Sequence, residues 1–383
     1  MKNSSPVGGV VFVIDRVMHY HAATMRAIEQ GLSMRGIPFA VLSAQDSNNT
    51  VGRVAMRSKA VTNHRYFQLT ERRIGRFMFR FQQGLTLHCE EVKPLVVIST
   101  CHSGTLSEWL LLWWAKRRGV RRVAWQCGYE YNPTLIKSTV LRLFIPLFDF
   151  HLCYHSNARK YALAYGATPA QTLVMHNTID ESSIVAGDRP GAKDLLAARW
   201  PALAGKKIVL YVGAVLEEKH LDLVFSALDL MADDAVRFLL VGDGPYLPVL
   251  RERFKNRDDW IATGSIIQGV GEYFDAADVF VLPGTGGLAI NEAMAHRLPV
   301  VSGYADGSAD DLVIDGVTGY RLRSGSAGEL ADRLQDVLAD PLRANTMGQQ
   351  GEVRIRGDLS FQSFIERVVS LLADQHAQAC KKT

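Results

Sequence analysis

Between Lys206 and Leu322 the chain breaks into five short apolar runs, each closed by a tight polar or glycine-rich turn: KIVLYVG, RFLLVGDGP, WIATGSI, DVFVLPGTGG and LPVVSG. The runs are strand-length and rich in Val, Ile and Leu, and helix-length segments separate them. Strands without a polar face must be covered on both sides. That requirement selects a parallel sheet with helices on both faces. Such sheets bind ligands beyond the carboxyl ends of their strands, so the glycine turns are where chemistry is expected.

The first half repeats the alternation more loosely. GGVVFVID, FAVLSA, PLVVIST, RRVAWQC, FHLCYHS and TLVMHNTID read as strands, and ATMRAIEQGLSMRG and SEWLLLWWAKRRG read as helices. With 383 residues, two domains are expected. We place an N-terminal α/β domain at 1–185 and a Gly-, Pro- and Ala-rich linker at 186–205. A second α/β domain follows at 206–365, and a C-terminal helix and tail at 366–383 that pack back on the first. Both domains are expected to be doubly wound and Rossmann-like, facing each other across a cleft.

The net charge of +4 conceals an asymmetry. Residues 1–180 hold 22 Lys and Arg against 10 Asp and Glu, a net of +12; residues 181–383 hold 21 against 29, a net of −8. The basic half is suited to an anionic partner such as a membrane, a nucleic acid or a phosphorylated substrate. The five cysteines are odd in number and form no Cys-x-x-Cys pair, which supports neither a disulfide framework nor a zinc site. No signal peptide is evident, and no stretch reaches the roughly 20 apolar residues of a membrane span. A cytoplasmic protein, peripheral on the inner face of the membrane, is expected.

The most informative segment is GTGGLAINEAM (284–294), a glycine loop running directly into a helix. Free amides and the positive helix end at Gly284, Thr285, Gly286, Gly287 and Leu288 suit a phosphate or pyrophosphate. A tight turn without a ligand is the plain alternative. Lys219, beyond the preceding strand end at Gly213, would face the same anion, and Gly242 ends the next strand. Glu292 lies one turn into the helix, where it can accept hydrogen bonds from ribose hydroxyls or simply complement the helix dipole.

These residues resemble the second domain of the retaining glycosyltransferases of GT-B fold, in the large family numbered four. The resemblance rests on VGAVLEEKHLDLV, VGDGPYLPVL, ADVFVLPGTGGLAINEAMAHRLPVV and DDLVIDGVTGYRL, in the family's order and spacing across 206–322. It implies a nucleotide-sugar-dependent hexosyltransferase that keeps the donor's anomeric configuration and needs no metal or other cofactor. By the same resemblance Lys219 and the amides of Gly287 and Leu288 hold the diphosphate of a UDP- or GDP-linked donor. Glu292 would hold the ribose, and the backbone near Ser265 and Ile266 the base. The chain departs from the pattern at Ala214, where an Arg is usual, at Gly284, where a sugar-contacting Glu is usual, and at Cys127, where a His is usual.

The expected acceptor is a saccharide or a polyprenyl-diphosphate-linked saccharide, as in the assembly of bacterial-type surface polysaccharides or glycans. His19, His21, His102 and Glu130 follow predicted strand ends and are acceptor-side candidates. TERRIGRFMFRFQQG (70–84) is read as a basic amphipathic helix with Arg72, Arg76 and Arg80 on one face and an apolar stripe including Phe77 and Phe81. It suits an anionic membrane surface or ordinary packing on its own domain. Trp113, Trp114, Lys116, Arg117, Arg118, Arg121 and Arg122 form a second cluster, and the apolar segment 135–148 a third. The aromatics sit in apolar runs, which argues against nucleic acid. The first apolar run lacks a G-x-G-x-x-G, which argues against a dehydrogenase. A nucleotide-sugar epimerase and a non-catalytic nucleotide-sugar-binding subunit remain as alternatives.

Overall fold

The computed structural model describes residues 8–18, 21–44, 61–74, 77–128, 133–266, 268–303 and 307–381. The chain forms two compact units. The first runs to His176 and resumes at Gln362, and the second is Asn177–Phe361.

Unit 1 contains β1 (Val10–Val13), α1 (His21–Ser33), β2 (Phe39–Ala44), β3 (His64–Ile74), β4 (Phe77–Gln83), α2 (Leu85–Val92) and β5 (Val96–Ser99). It continues with α3 (Leu106–Arg117), β6 (Arg121–Gln126), α4 (Leu135–Phe144), β7 (Phe150–Cys153), α5 (Ser156–Ala164) and β8 (Thr172–Val174). The sheet order is β4-β3-β2-β1-β5-β6-β7-β8. Every pair is parallel except β3–β4. The sheet reverses its winding between β1 and β5, whose registers run Val10↔Val96 to Val13↔Ser99. β1 and β5 are buried along their whole length, as strands covered on both faces must be.

Unit 2 contains α6 (Arg189–Arg199), β9 (Lys207–Val212), α7 (Asp222–Met231), β10 (Val236–Val241), α8 (Leu247–Arg253), β11 (Trp260–Ala262) and α9 (Gly271–Ala276). Then come β12 (Val279–Leu282), α10 (Leu288–Ala295), β13 (Val300–Ser302), α11 (Ala309–Leu312), β14 (Gly319–Arg321), α12 (Ala327–Ala339) and α13 (Pro341–Arg356). Its all-parallel sheet has the order β11-β10-β9-β12-β13-β14, doubly wound about the β9–β12 pair. The last helix, α14 (Phe361–Cys380), belongs to unit 1 from Gln362 onward. Phe364 packs edge-on against Trp125, and Arg121 donates to the Gln375 side chain at 2.6 and 2.9 Å.

Two expectations need correction. Residues 186–205 are not a linker: they contain α6 and a short turn, Pro201–Leu203, whose Ala192, Leu196 and Leu203 join the core of unit 2. Asp188 caps α6 through the Gly191 amide at 3.0 Å, and Pro190 sits in its first turn. The Pro and Gly that suggested a linker are therefore part of a helix start.

Residues 70–84 are not a helix. β3 and β4 form an antiparallel hairpin in which Arg72 opposes Phe79, Thr70 opposes Phe81 and Ile74 opposes Phe77. Arg80 sits across from Glu71, donates to it at 3.1 Å, and reaches Asp15 at 3.2 Å. Arg16 also donates to Glu71, and this contact holds the carboxyl below the usual carboxylate range. Arg76 lies outside the described residues. The four-residue arginine spacing coincided with a period of two: Phe77, Phe79 and Phe81 alternate with Met78, Arg80 and Gln82. Arg80 is thus committed to two carboxylates and is no free cation for a membrane.

Candidate donor site and the surfaces of the first unit

In unit 2 the loops after β9 and β12 meet at the point where the sheet reverses. Gly213 leaves β9 with φ +148°. The chain then forms a short turn, Glu217–Lys219, in which Lys219 is 8% exposed. An ammonium so far from water requires a partner. Its Nζ donates to the Thr285 carbonyl oxygen at 2.5 Å, while the Thr285 amide donates to the Glu218 carbonyl at 3.1 Å. The Thr285 hydroxyl donates to the same Glu218 carbonyl at 3.4 Å, so side-chain and backbone bonds together stitch the two loops.

Glycine is required where these loops touch. A Cβ on Gly284 would lie 2.2 Å from the Glu218 carbonyl oxygen and 2.5 Å from the Lys219 carbonyl carbon. Gly286 has φ +139°, and a Cβ there would stand 3.3 Å from the Lys219 ammonium. Gly242, with φ +146°, passes so close to Gly213 that a Cβ would fall 1.8 Å from the Gly213 oxygen. Its amide donates to Gly264 at 2.9 Å, next to exposed Ser265 and half-buried Ile266. The fold therefore brings Gly213, Gly242, Lys219 and the 284–288 loop to adjacent strand ends.

Gly287 is the N-cap of α10, and Leu288 opens the helix. The first amides of a helix have no partner within it, and the dipole adds positive charge at the same end. With the Lys219 ammonium tied to the loop that leads into this helix, the arrangement fits a diphosphate. Glu292 is half-buried in the second turn of α10. Burial pushes its carboxyl up, and the neighbouring His296 pulls it back. His296 is itself paired with Asp275 at 2.7 Å.

The sequence did not reveal Asn291. It is buried in α10, donates to the Thr178 hydroxyl at 2.7 Å, and its own Oδ1 has no partner among the described residues. A polar residue inside an apolar helix turn was the available signal. Its partner lies 113 residues away and could not be read from spacing.

In unit 1, His19 and Glu130 lie outside the described residues. His21 opens α1 and is engaged locally: its Nδ1 accepts from the Met18 amide at 3.2 Å, and its amide donates to the Met18 carbonyl at 2.9 Å. His102 is exposed after β5, its amide held at 2.9 Å by the buried carboxylate of Glu108. Both histidines follow strands that are neighbours in the sheet.

Much of the predicted basic cluster is also committed. Arg118 pairs with Glu90, Arg121 and Arg122 pair with Asp149, and the Trp114 indole donates to Glu90 at 2.6 Å. Among the described residues of unit 1, the exposed large apolar side chains lie on α3 and α4, besides Met34, Phe81 and Leu87. Leu106, Leu110 (53% exposed) and Trp113 (55%) recur along one face of α3, with the Arg117 guanidinium 3.7 Å over the Trp113 ring. Leu135, Ile136 and Leu143 are exposed on α4, and Trp109 packs on Phe144 between the two helices. Among the described residues, no helix is long and apolar enough to cross a membrane.

Residues 206–340 match the family model described as glycosyl transferases group 1. A sulfoquinovosyl transferase of Arabidopsis thaliana is 30% identical over 210 residues, 53% of this chain and 40% of its own length. A GDP-mannose-dependent alpha-mannosyltransferase of Mycobacterium tuberculosis is 35% identical over 156 residues, 39% of this chain and 38% of its own. The chain thus spans less than half the length of these curated relatives. Among solved structures, the sucrose-phosphate synthase of Thermosynechococcus elongatus superposes with a TM-score of 0.74 at 18% identity, covering 97% of this chain and 100% of that one. HepE of Anabaena, solved in complex with UDP and glucose, gives 0.72 at 15% identity, covering 96% and 100%. At these identities the structural likeness speaks for the fold alone.

Proposed function

We propose, from the premise that this chain belongs to the group 1 glycosyltransferases of GT-B fold, that it moves a hexose from a UDP- or GDP-linked donor to a saccharide or a lipid-linked saccharide. The observation that carries this reading is the Lys219–Thr285 stitch at the reversal point of the unit 2 sheet, directly before α10. Lys219 and the first amides of α10 supply fixed positive charge where a departing nucleoside diphosphate develops negative charge. On this reading transfer keeps the anomeric configuration, and no metal is required, because the protein's own groups carry the phosphate charge. Glu292 holds the ribose hydroxyls, and the turn at Ser265 and Ile266 lies against the base.

The acceptor side is assigned to unit 1, with His21 and His102 as its described candidates. Docking on the inner face of an anionic membrane is assigned to the exposed α3–α4 surface. Leu110 and Trp113 would enter the headgroup boundary, and Arg117 would meet the lipid phosphates. The setting that fits is the assembly of surface polysaccharide or glycan on a lipid carrier.

The test is a panel of UDP- and GDP-linked glucose, galactose, N-acetylglucosamine and mannose. Each is incubated with anionic vesicles carrying a polyprenyl-diphosphate-linked saccharide, and nucleotide release and product anomer are followed. Release with one donor and an α-linked product from an α-linked donor is expected. If neither UDP nor GDP binds in calorimetry, the reading is wrong. A second reading, a non-catalytic nucleotide-sugar-binding subunit, is favoured by the absence of room for a carboxylate side chain at Gly284. Binding without release across the panel would select it.

A further inference from the structure

The sequence Thr105-Leu-Ser-Glu108 at the start of α3 has the spacing of a capping box, in which Thr and Glu satisfy each other's backbone amides. The structure does something else. One oxygen of Glu108 accepts from the Ser99 hydroxyl at 2.5 Å and from the Cys101 amide at 2.9 Å. The other accepts from the His102 amide at 2.9 Å. The Thr105 amide goes instead to the His102 carbonyl at 2.9 Å, and the buried Thr105 hydroxyl has no partner among the described residues. The carboxylate has been taken from the helix end and given to the turn before it.

This diversion is costly in three ways. Glu108 is 3% exposed, and the donors it accepts from are uncharged. Cys101 sits at φ +59°, a left-handed conformation that disfavours any residue with a Cβ. The Thr105 hydroxyl forfeits its hydrogen bond. All three costs fall between Ser99 and Glu108, at the carboxyl end of β5. That is beside β1, where the unit 1 sheet reverses. Such features persist where the surroundings over-determine them, and they concentrate at functional turns. The charged group acting on Glu108 from the neighbouring strand end is Asp15, itself held by Arg80 and by Gln82 at 2.7 Å.

We propose that Glu108 is a positioning residue for acceptor binding: it clamps the turn after β5 and so fixes the place from which exposed His102 meets the acceptor. This rests on the glycosyltransferase reading above, and it adds a residue and a role to that reading.

The test uses the full chain with Glu108→Gln, which keeps the shape but removes the charge, and with Ser99→Ala, which removes one donor and leaves the carboxylate. Amide hydrogen exchange, thermal melting, and steady-state transfer with whichever pair of the panel turns over are compared. Exchange at the Cys101 and His102 amides should rise about tenfold in Glu108→Gln. KM for the acceptor should also rise about tenfold, with kcat and the donor KM changed less than about twofold. Ser99→Ala should move the same quantities by less, and His102→Asn should raise the acceptor KM alone. An unchanged acceptor KM in folded Glu108→Gln overturns the inference and leaves the glycosyltransferase reading standing. So does a parallel loss of melting temperature, kcat and donor KM, which would mark a purely structural role. If the unaltered protein releases no nucleotide with any member of the panel, the inference falls together with the reading beneath it.

Discussion

The Lys219 ammonium lies 2.5 Å from the Thr285 carbonyl oxygen, across 66 residues of sequence, and this bond ties the loop after β9 to the loop after β12. A neutral carbonyl is a modest partner for a buried cation, whereas a diphosphate is a strong one. The same side chain thus holds the two loops together and carries the charge that an anionic ligand would meet.

Replacing Lys219 with Met should therefore weaken UDP or GDP binding by about 10- to 100-fold, the value of one charge-assisted hydrogen bond. Calorimetry with each nucleotide measures it. Full affinity in the variant would remove Lys219 from the site.

Gly284→Ala should destabilise unit 2 by about 1–3 kcal/mol, because its Cβ would overlap the Glu218 and Lys219 backbone. Gly284→Glu should cost at least as much, so the acidic side chain usual in the family is not recovered by one substitution. Chemical denaturation of both variants checks this, and wild-type stability in either would show that the loops part easily.

Glu108 gives a pH signature. Burial pushes its carboxyl up to about 7, against the lowering effect of the Ser99 hydroxyl and the two amides. Between about pH 4.5 and 7 the folded chain binds more protons at this group than the unfolded chain does. This contribution is therefore greatest below pH 4.5 and declines as the pH rises to 7. Compared with Glu108→Gln, the unaltered protein should lose roughly 3 kcal/mol across that window. Parallel stability curves for the two proteins would refute the assignment.

Binding to anionic vesicles at low salt should be lost in Leu110→Asp and Trp113→Asp and kept in Arg72→Ala. The hairpin carrying Arg72 has Arg80 paired to Asp15 and Glu71, whereas the α3 face is apolar and exposed. Flotation of the three variants decides it, and the opposite pattern would return the membrane contact to residues 70–84.

Five of the six strands of unit 2 were legible because each is a short, largely apolar run with a glycine at or just past its exit, whereas β14, the three residues Gly319–Arg321, carries neither signal. Gly242 and Gly284 mark close backbone approaches that leave no room for a Cβ, and Gly213 and Gly286 mark positive φ values that disfavour any other residue. Residues 70–84 were misread because two periods fit one string. Gly75, between two alternating runs, was the turn signal that should have arbitrated. The α6 segment has the composition of a linker, but Asp188-Arg-Pro190 is a helix start. Asn291–Thr178 and the Glu108 clamp stayed hidden for another reason. A hydrogen bond to a distant or diverted partner leaves no period in a sequence, and Thr105-x-x-Glu108 pointed to a local cap that the fold does not make.

The return of α14 to the first unit bears on the order in which the protein can be made. Val369 packs on Gly31, His376 donates to the Gly8 carbonyl at 2.6 Å, and Phe364 covers Trp125. These partners leave the ribosome hundreds of residues before the helix that shields them, while unit 2 is contiguous and can close as it emerges. A chain stopped after Phe361, the last residue of unit 2, should therefore keep the nucleotide-stabilised melting of unit 2 and lose the cooperative melting of unit 1. Calorimetric scans with and without UDP or GDP would show which half a nonsense lesion at the start of α14 disables.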